Sequence, residues 1–554
     1  MKSSAKSVIS GEIASREVQE VSPLSRELVM GFVGYVGSGC STAAKRLEVL
    51  LQTEDYAVEC IKLSSLIARQ SGRTYSDGDH GADAGRKRFD RASSLQDHGD
   101  ELRAAHGDDA VAALAIGEIK RLRDKRGLEP GRTKIAFILD SIKHTAEVDL
   151  LRKVYDQSFR LVAVHCDRTA RRARLIGNIR NNVKYAGVPE DKVQTYIDRD
   201  EKDAKNHHGQ QVRDAFYVAD YFLDNSEKSS GGENLTDDLL RFCNLVLGNS
   251  LVRPKAAEKG MYHAHSAALQ SSCLSRQVGA ALVCETGTLV ATGCNDVPKF
   301  GGGIYDEDCK PDHRCFRWEW QANDKSQPKF HGCHNQRRKS ELRQRIGTWL
   351  AETLAPKVAE AVHPSRPGGF DLAGGERAKV QKAIAELFNT KPDLLDGMPG
   401  VKDLIEYSRS IHAEMDALFS AARSGISPVR GTLYTTTYPC HNCARHLVTA
   451  GIRSVVYIEP YVKSLASELH SDAIRNERPS STAGERADKM EIVPFTGVGP
   501  RMYEDYFFKR VELKDGKGAY VPPTPAVPVT AVRLLELRIV EEKAAQLVPE
   551  TNHE

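Results

Sequence analysis

The strongest constraint on this chain is a spacing: His412-Ala413-Glu414, followed 25 residues after the glutamate by Pro439-Cys440-His441-Asn442-Cys443. One imidazole and two thiolates hold zinc tetrahedrally and leave a fourth position for water, whose pKa the metal lowers to about 7. Two separate stretches must meet for this to happen. Cys440 and Cys443 are three apart at a predicted helix start, so both sulfurs can lie on one face, where the positive end of the helix favours thiolate. His412 and Glu414 are two apart, which on an ideal helix turns them away from each other, so both must sit in the first turn with Glu414 reaching back. Glu414 is read as a proton carrier rather than a ligand. A structural zinc would take four protein ligands, and this pattern has three.

The surrounding pattern supplies a frame for that site. From Gly260 it reads helix (Met261 to Leu274), strand (Gln277 to Cys284), a turn at Glu285-Thr286-Gly287 and a second strand (Thr288 to Cys294). A long insertion follows, about 298–401, with Pro/Gly punctuation and a Cys/His-rich patch. The pattern then resumes as helix (Ile411 to Arg423), strand (Thr432 to Thr437), helix (Cys443 to Ala450) and strand (Ser454 to Ile458).

The first half carries a different signal. Glu27 to Val36 is an apolar strand running into a glycine-rich turn, and Ser41 to Leu51 has helical spacing. Lys134 to Asp140 and Phe159 to Cys166 are continuous apolar runs of strand length, the mark of a parallel sheet with crossover helices. Gly34, Gly37, Ser38, Gly39, Ser41 and Thr42 fit the phosphate-loop pattern, with Cys40 where the lysine belongs. Backbone N–H groups of such a loop cradle phosphate whatever the side chains, so binding of a nucleotide or phosphate is expected. Phosphoryl transfer is not, because the cation that stabilises it is missing.

These features predict an α/β protein of two main parts. A polar leader spans 1–26; a phosphate-loop, kinase-like domain with a parallel sheet spans 27–252. An α/β/α domain with the insertion spans 255–512, and a proline-rich linker with a last helix spans 513–554.

The zinc pattern resembles that of the cytidine deaminase superfamily, specifically its deoxycytidylate deaminases. The likeness extends over Ser271 to Pro298, Ser410 to Gly425 and Leu433 to Tyr461. It implies Zn2+ as cofactor, with His412, Cys440 and Cys443 as ligands, Glu414 as the catalytic proton shuttle, and free deoxycytidine nucleotides as substrates. It also implies that Asn295 contacts the nucleotide, although Cys294 stands where the family has tyrosine. Some relatives hold a second zinc. Here the matching candidates are Cys273 and Cys309, with Cys333 or His334 in place of histidines this chain lacks.

The first half resembles nucleoside-monophosphate kinases: Asp140 ends a strand as a metal-coordinating aspartate would, and Arg168, Arg171, Arg172 and Arg174 resemble a lid. The combination of the two halves resembles the bacterial antiphage deoxycytidine-nucleotide deaminases. That resemblance implies action on dCMP and dCTP, depletion of the dC pool, an inhibitor released on phage infection, and a homo-oligomer.

Composition decides between rivals. A formal charge of +3 over 554 residues gives no global field for nucleic acid, which weighs against an RNA- or DNA-editing deaminase. Glu414 weighs against a nucleotide-binding switch with a structural zinc, since such a metal needs no proton shuttle. Twelve cysteines are too sparse for a disulfide framework. No apolar run approaches a membrane span and the first residues lack a signal-peptide core, so no membrane contact and a cytoplasmic location are expected.

Overall fold

The computed structural model describes residues 25–72, 84–128, 133–176, 184–203, 206–226, 233–248, 251–319, 330–362, 379, 382–383, 386, 404, 407–461, 464–476, 488–509, 512–521 and 534–548. Most of the leader, the proline-rich stretch and much of the insertion lie outside the described residues. The chain forms two compact units. One takes in the described residues up to Tyr262 and those from Pro494 on; the other runs from His263 to Arg478 and over Glu485–Val493.

In the first unit, five strands are laid down in sequence: β1 (Glu27–Val33), β2 (Ala57–Lys62), β3 (Ile135–Ile142), β4 (Phe159–His165) and β5 (Tyr221–Asp224). They pair in parallel in the order β5-β4-β1-β3-β2, and a short Gly497–Val498 strand adds antiparallel to β5. β1 is buried along its whole length, which explains its unbroken apolar run. Helices Cys40–Thr53 and Glu233–Leu247 cover one face, burying Leu47, Leu51, Leu239 and Phe242 against β1 and β3.

The sequence reading assigns everything from 255 to 512 to the second domain, but the chain returns to the first unit at Pro494. Backbone pairing of Gly497–Val498 with β5 and burial of Val498, Met502, Tyr506 and Phe507 in the first unit's core hold it there. The last helix, Leu534–Ala545, belongs to that unit too: Arg123 is clamped in the interior between Glu27 and Glu541 at 2.7 Å each.

The second unit has its own six-stranded sheet: β6 (Gly279–Val283), β7 (Leu289–Cys294), β8 (Thr432–Thr437), β9 (Ser454–Glu459), β10 (Ile474–Arg475) and β11 (Met490–Pro494), in the order β10-β11-β9-β8-β6-β7. β6 is antiparallel to β7 and β8, whereas β8 and β9 run parallel. Helix Ala413–Arg423 lies directly on β7, and Gly293 permits this: a Cβ there would come within 2.4 Å of the backbone of Ala413 and Ala417. Among the described residues, the insertion contributes a long helix, His334–Val362. Among the described residues, no helix is long and apolar enough to cross a membrane.

Candidate active site

Two helix starts build the site. His412 is the N-cap of helix Ala413–Arg423, with extended backbone (ψ 151°), so it is not helical at all. That resolves the two-residue spacing: the imidazole leaves the chain before the first turn, and Glu414, inside the turn, faces the same side. Cys440 is the N-cap of helix His441–Thr449, and its sulfur accepts from the Cys443 N–H at 3.4 Å. Parallel pairing of β8 with β9 and the short turn after β8 set this second helix beside the first.

His412 Nδ1 lies 3.3 Å from both the Cys440 and the Cys443 sulfurs. The three donor atoms fall within 4.8 Å of one another, and among the described residues no other group of three such side chains does so. In the protein without metal, the Cys443 thiol and His412 hold the Cys440 sulfur down at about 4 against the cost of burial. The hydrogen bond to Cys440 lifts His412 to about 9. Cys443 keeps its proton, pushed well above its ordinary value by the bond to Cys440, by burial and by Glu414. One imidazolium, one thiolate and one thiol thus stand ready to exchange two protons for one divalent ion. The set fits zinc.

Glu414 is 4% exposed and receives the Cys443 thiol at 3.4 Å. Burial, reinforced by the Cys440 thiolate, pushes its carboxyl above the usual range. A carboxyl with its pKa raised by burial is suited to taking up a proton and releasing it again during a reaction.

These residues form one wall of a cavity of about 290 Å³ that also receives Arg276, Lys339 and Arg409. Arg409 stacks 4.0 Å above the Trp318 ring and donates to the His313 carbonyl at 3.1 Å, which fixes its guanidinium. Lys339, on the insertion helix, is 8% exposed. The sequence reading singled out none of these three cations. Arg276 sits inside the segment of family likeness, whereas Lys339 lies in the insertion and Arg409 just ahead of the segment that begins at Ser410, where nothing in the sequence marks one charge among many as facing the site.

Asn295 lines the cavity with its amide committed: Oδ1 accepts from the Val278 N–H at 2.7 Å and Nδ2 donates to the Arg276 carbonyl at 2.9 Å. It fastens the backbone that carries Arg276 to the end of β7.

The candidate second metal group divides. Cys273, Cys333 and His334 all line the cavity, His334 stacked on Trp318 at 5.6 Å. Cys309 does not join them; its sulfur is taken by Asp306 Oδ1 at 3.1 Å and Lys299 Nζ at 3.3 Å. Cys315 lines the cavity instead, its thiol raised by burial and by Cys273 and Cys333. The correction has a simple cause: the turn holding Asp306 closes on Cys309 locally, and the chain reaches the cavity only six residues later.

In the first unit, Gly37 and Gly39 take positive φ (82° and 94°), and Gly39 is the N-cap of helix Cys40–Thr53 with no side chain capping it. The loop from Gly34 to Ser41 lines a second cavity of about 570 Å³ at the carboxyl ends of β1 and β3. Ser41 Oγ donates to Asp140 Oδ2 at 2.6 Å. Thr42 starts the helix ladder, its N–H bonded to the Gly39 carbonyl.

One imidazole and two cysteine sulfurs thus meet at two helix starts beside a buried carboxyl. Residues 321–459 match the family model of the cytidine and deoxycytidylate deaminase zinc-binding region. ComE operon protein 2 of Bacillus subtilis (strain 168) is 37% identical over 67 residues, 12% of this chain and 35% of that protein. The deoxycytidylate deaminases of Enterobacteria phages T2 and T4 are each 44% identical over 54 residues, 10% of this chain and 29% and 28% of theirs. The chain thus spans about a third of the length of these curated relatives. Two solved structures are also similar. The dCMP deaminase of cyanophage S-TIM5 is 14% identical, covers 44% of this chain and 100% of its own, and gives a TM-score of 0.20. Shikimate kinase from Bacteroides thetaiotaomicron is 15% identical, covers 39% of this chain and 97% of its own, and gives 0.23.

Proposed function

We propose that this protein deaminates free deoxycytidine nucleotides, dCMP, dCTP or both, to the uracil forms. The observation that carries the reading is the buried Glu414 carboxyl set against three zinc donors in a cavity that also receives Arg276, Lys339 and Arg409. Zinc held by His412, Cys440 and Cys443 supplies a Lewis acid that makes water a nucleophile at neutral pH. Glu414 would take one proton from the attacking water and pass it to ring N3, then take the second from the new C4 hydroxyl and give it to the amine, which leaves as ammonia while C4=O forms. Arg276, Lys339 and Arg409 bind the phosphate end, which selects nucleotides over the bare base.

The same reading makes the dC nucleotide pool the target, depleted in defence against phage, with an inhibitor restraining the enzyme until infection. It takes the first unit as a nucleotide- or phosphate-binding partner of the deaminase, and it expects a homo-oligomer. Support for these last points is resemblance of the two-part chain alone. A second zinc belongs to the reading as well: Cys273, Cys333, His334 and Cys315 line one cavity, but their donor atoms do not gather as those of His412, Cys440 and Cys443 do, so they would have to close on the metal; a metal count of two per chain tests it.

The deciding experiment incubates the purified protein with dCMP, dCTP, deoxycytidine and single-stranded DNA. Uracil product from the nucleotides and none from DNA is expected. Turnover of DNA alone would replace this reading with an editing one.

A further inference from the structure

The glycine loop of the first unit lacks its own cation, yet an ammonium stands beside it. Lys143, just past the end of β3, donates to Asp200 Oδ1 at 2.7 Å and to the Gly34 carbonyl at 3.4 Å. The other oxygen of Asp200 accepts from the Val36 N–H at 2.7 Å, so one carboxylate steadies both the loop and the lysine. Cys40 reaches the same glycine: a Cβ on Gly34 would lie 2.7 Å from its sulfur. The residue that replaced the loop lysine and the lysine from elsewhere therefore converge on one point of the cradle.

We propose that Lys143 supplies from β3 the ammonium that the loop lacks at Cys40, and that this cavity binds a nucleoside phosphate carrying two or three phosphates. The inference rests on reading the first unit as a nucleotide-binding domain and specifies what that domain takes.

Three further observations support it. Lys62 and Lys184 line the same cavity, and Lys184 is held below lysine's ordinary value by desolvation and by the Lys143 and Lys62 ammoniums. Seven cationic side chains line the cavity against Asp140, Glu147 and Asp200, which suits a ligand of several negative charges. Asp140 Oδ1 is buried with no hydrogen-bond partner while Oδ2 holds Ser41, an arrangement suited to the divalent cation that accompanies a polyphosphate. Gln96, 4% exposed, also lines the cavity; its Nε2 reaches Gln210 at 3.4 Å and its Oε1 accepts nothing. A dry, unmatched acceptor calls for a ligand N–H or O–H, which the nucleoside part provides. At about 570 Å³ the cavity has room for both ends of such a molecule.

The test is equilibrium binding of AMP, ADP, ATP, GMP, GDP and GTP with Mg2+ to the full chain. Removing Lys143 alone strands the Asp200 carboxylate, so the variant used is Lys143→Met with Asp200→Asn, with its melting temperature recorded. Affinity for at least one base should rise from mono- to triphosphate in the wild type. The double variant should lose about tenfold or more on the triphosphate and much less on the monophosphate. Adding Cys40→Lys should restore the triphosphate preference. A double variant that melts normally and binds triphosphate as well as the wild type overturns the role of Lys143 while leaving nucleotide binding intact. A wild type that binds none of the six removes the nucleotide-binding reading and this inference with it.

Discussion

Cys40 and Cys440 each stand at the start of a helix, yet their chemistry is opposite. Burial pushes the Cys40 thiol up to about 11, whereas Cys440 is held down at about 4. Both helix starts present N–H groups, but only Cys440, at the N-cap, has one reaching its sulfur, from Cys443 at 3.4 Å; Cys40 lies one position inside its helix. What differs is the neighbourhood. Cys440 has His412 Nδ1 at 3.3 Å and hydrogen bonds from the Cys443 thiol and N–H. Cys40 has the Ser38 hydroxyl at 3.5 Å and the Lys143 charge nearby, and the two together do not offset its burial. A thiolate is made by donors that reach the sulfur, and a buried cysteine without them is a small apolar side chain.

The sharpest way to break that comparison is to remove one working part from each helix start. Glu414→Ala should keep zinc and lower deamination by about 10²–10⁴-fold, the usual contribution of a positioned proton carrier. His412→Ala, Cys440→Ala or Cys443→Ala should lose metal and activity together. Cys40→Ala should leave both untouched and cost about 1 kcal/mol of stability. Metal analysis beside a product assay separates the cases. Zinc lost from the Cys40 variant would show that the two helix starts are not independent.

A smaller effect is expected at Gly39. Its φ of 94° disfavours any side chain, and an added Cβ would lie 2.2 Å from Asn225 Nδ2, which bonds the Ser38 carbonyl at 2.7 Å. Gly39→Val should cost about 1–3 kcal/mol in backbone strain, with the loss of that hydrogen bond in addition. Denaturant melts should show the first unit weakened with one catalytic zinc still bound. It should also change any control that a first-unit ligand exerts on deamination. A variant as stable as the wild type would mean the loop relaxes at no cost.

The two regions were unequally legible in the sequence. The zinc donors could be read because ligand chemistry demands a fixed set of residues at a fixed spacing, and the strands β1, β3 and β4 because burial on both faces leaves continuous apolar runs. Lys143 could not be read: it lies 57 residues from Asp200, and both look like solvated charges in a polar stretch. Gly497–Val498 offered two residues of pattern, and only long-range pairing with β5 assigns them to the first unit. The clamp of Arg123 between Glu27 and Glu541 is hidden for the same reason. Pairings between distant polar residues leave no periodicity, whereas a metal site leaves a motif.

The smallest effect, and the most direct measure of what makes a thiolate, lies at Cys284. This cysteine is at no helix end; it follows β6 in the hairpin to β7. Its sulfur lies 3.1 Å from the Thr286 hydroxyl, and that bond, with backbone bonds from Thr288 and Thr286, lowers it to about 7. Only the thiolate is alkylated, so the rate at Cys284 should rise with pH and reach half its maximum near 7, one or two units before an ordinary thiol. Thr286→Val removes the leading donor and keeps the backbone ones, so the half-point should move upward without returning all the way. Cys40 in the same sample should stay unlabelled until far higher pH, despite its place at a helix start. Iodoacetamide labelling followed by peptide mass analysis resolves the two sites. If Cys40 labels before Cys284, helix ends outweigh local donors, and the contrast between Cys40 and Cys440 needs another cause.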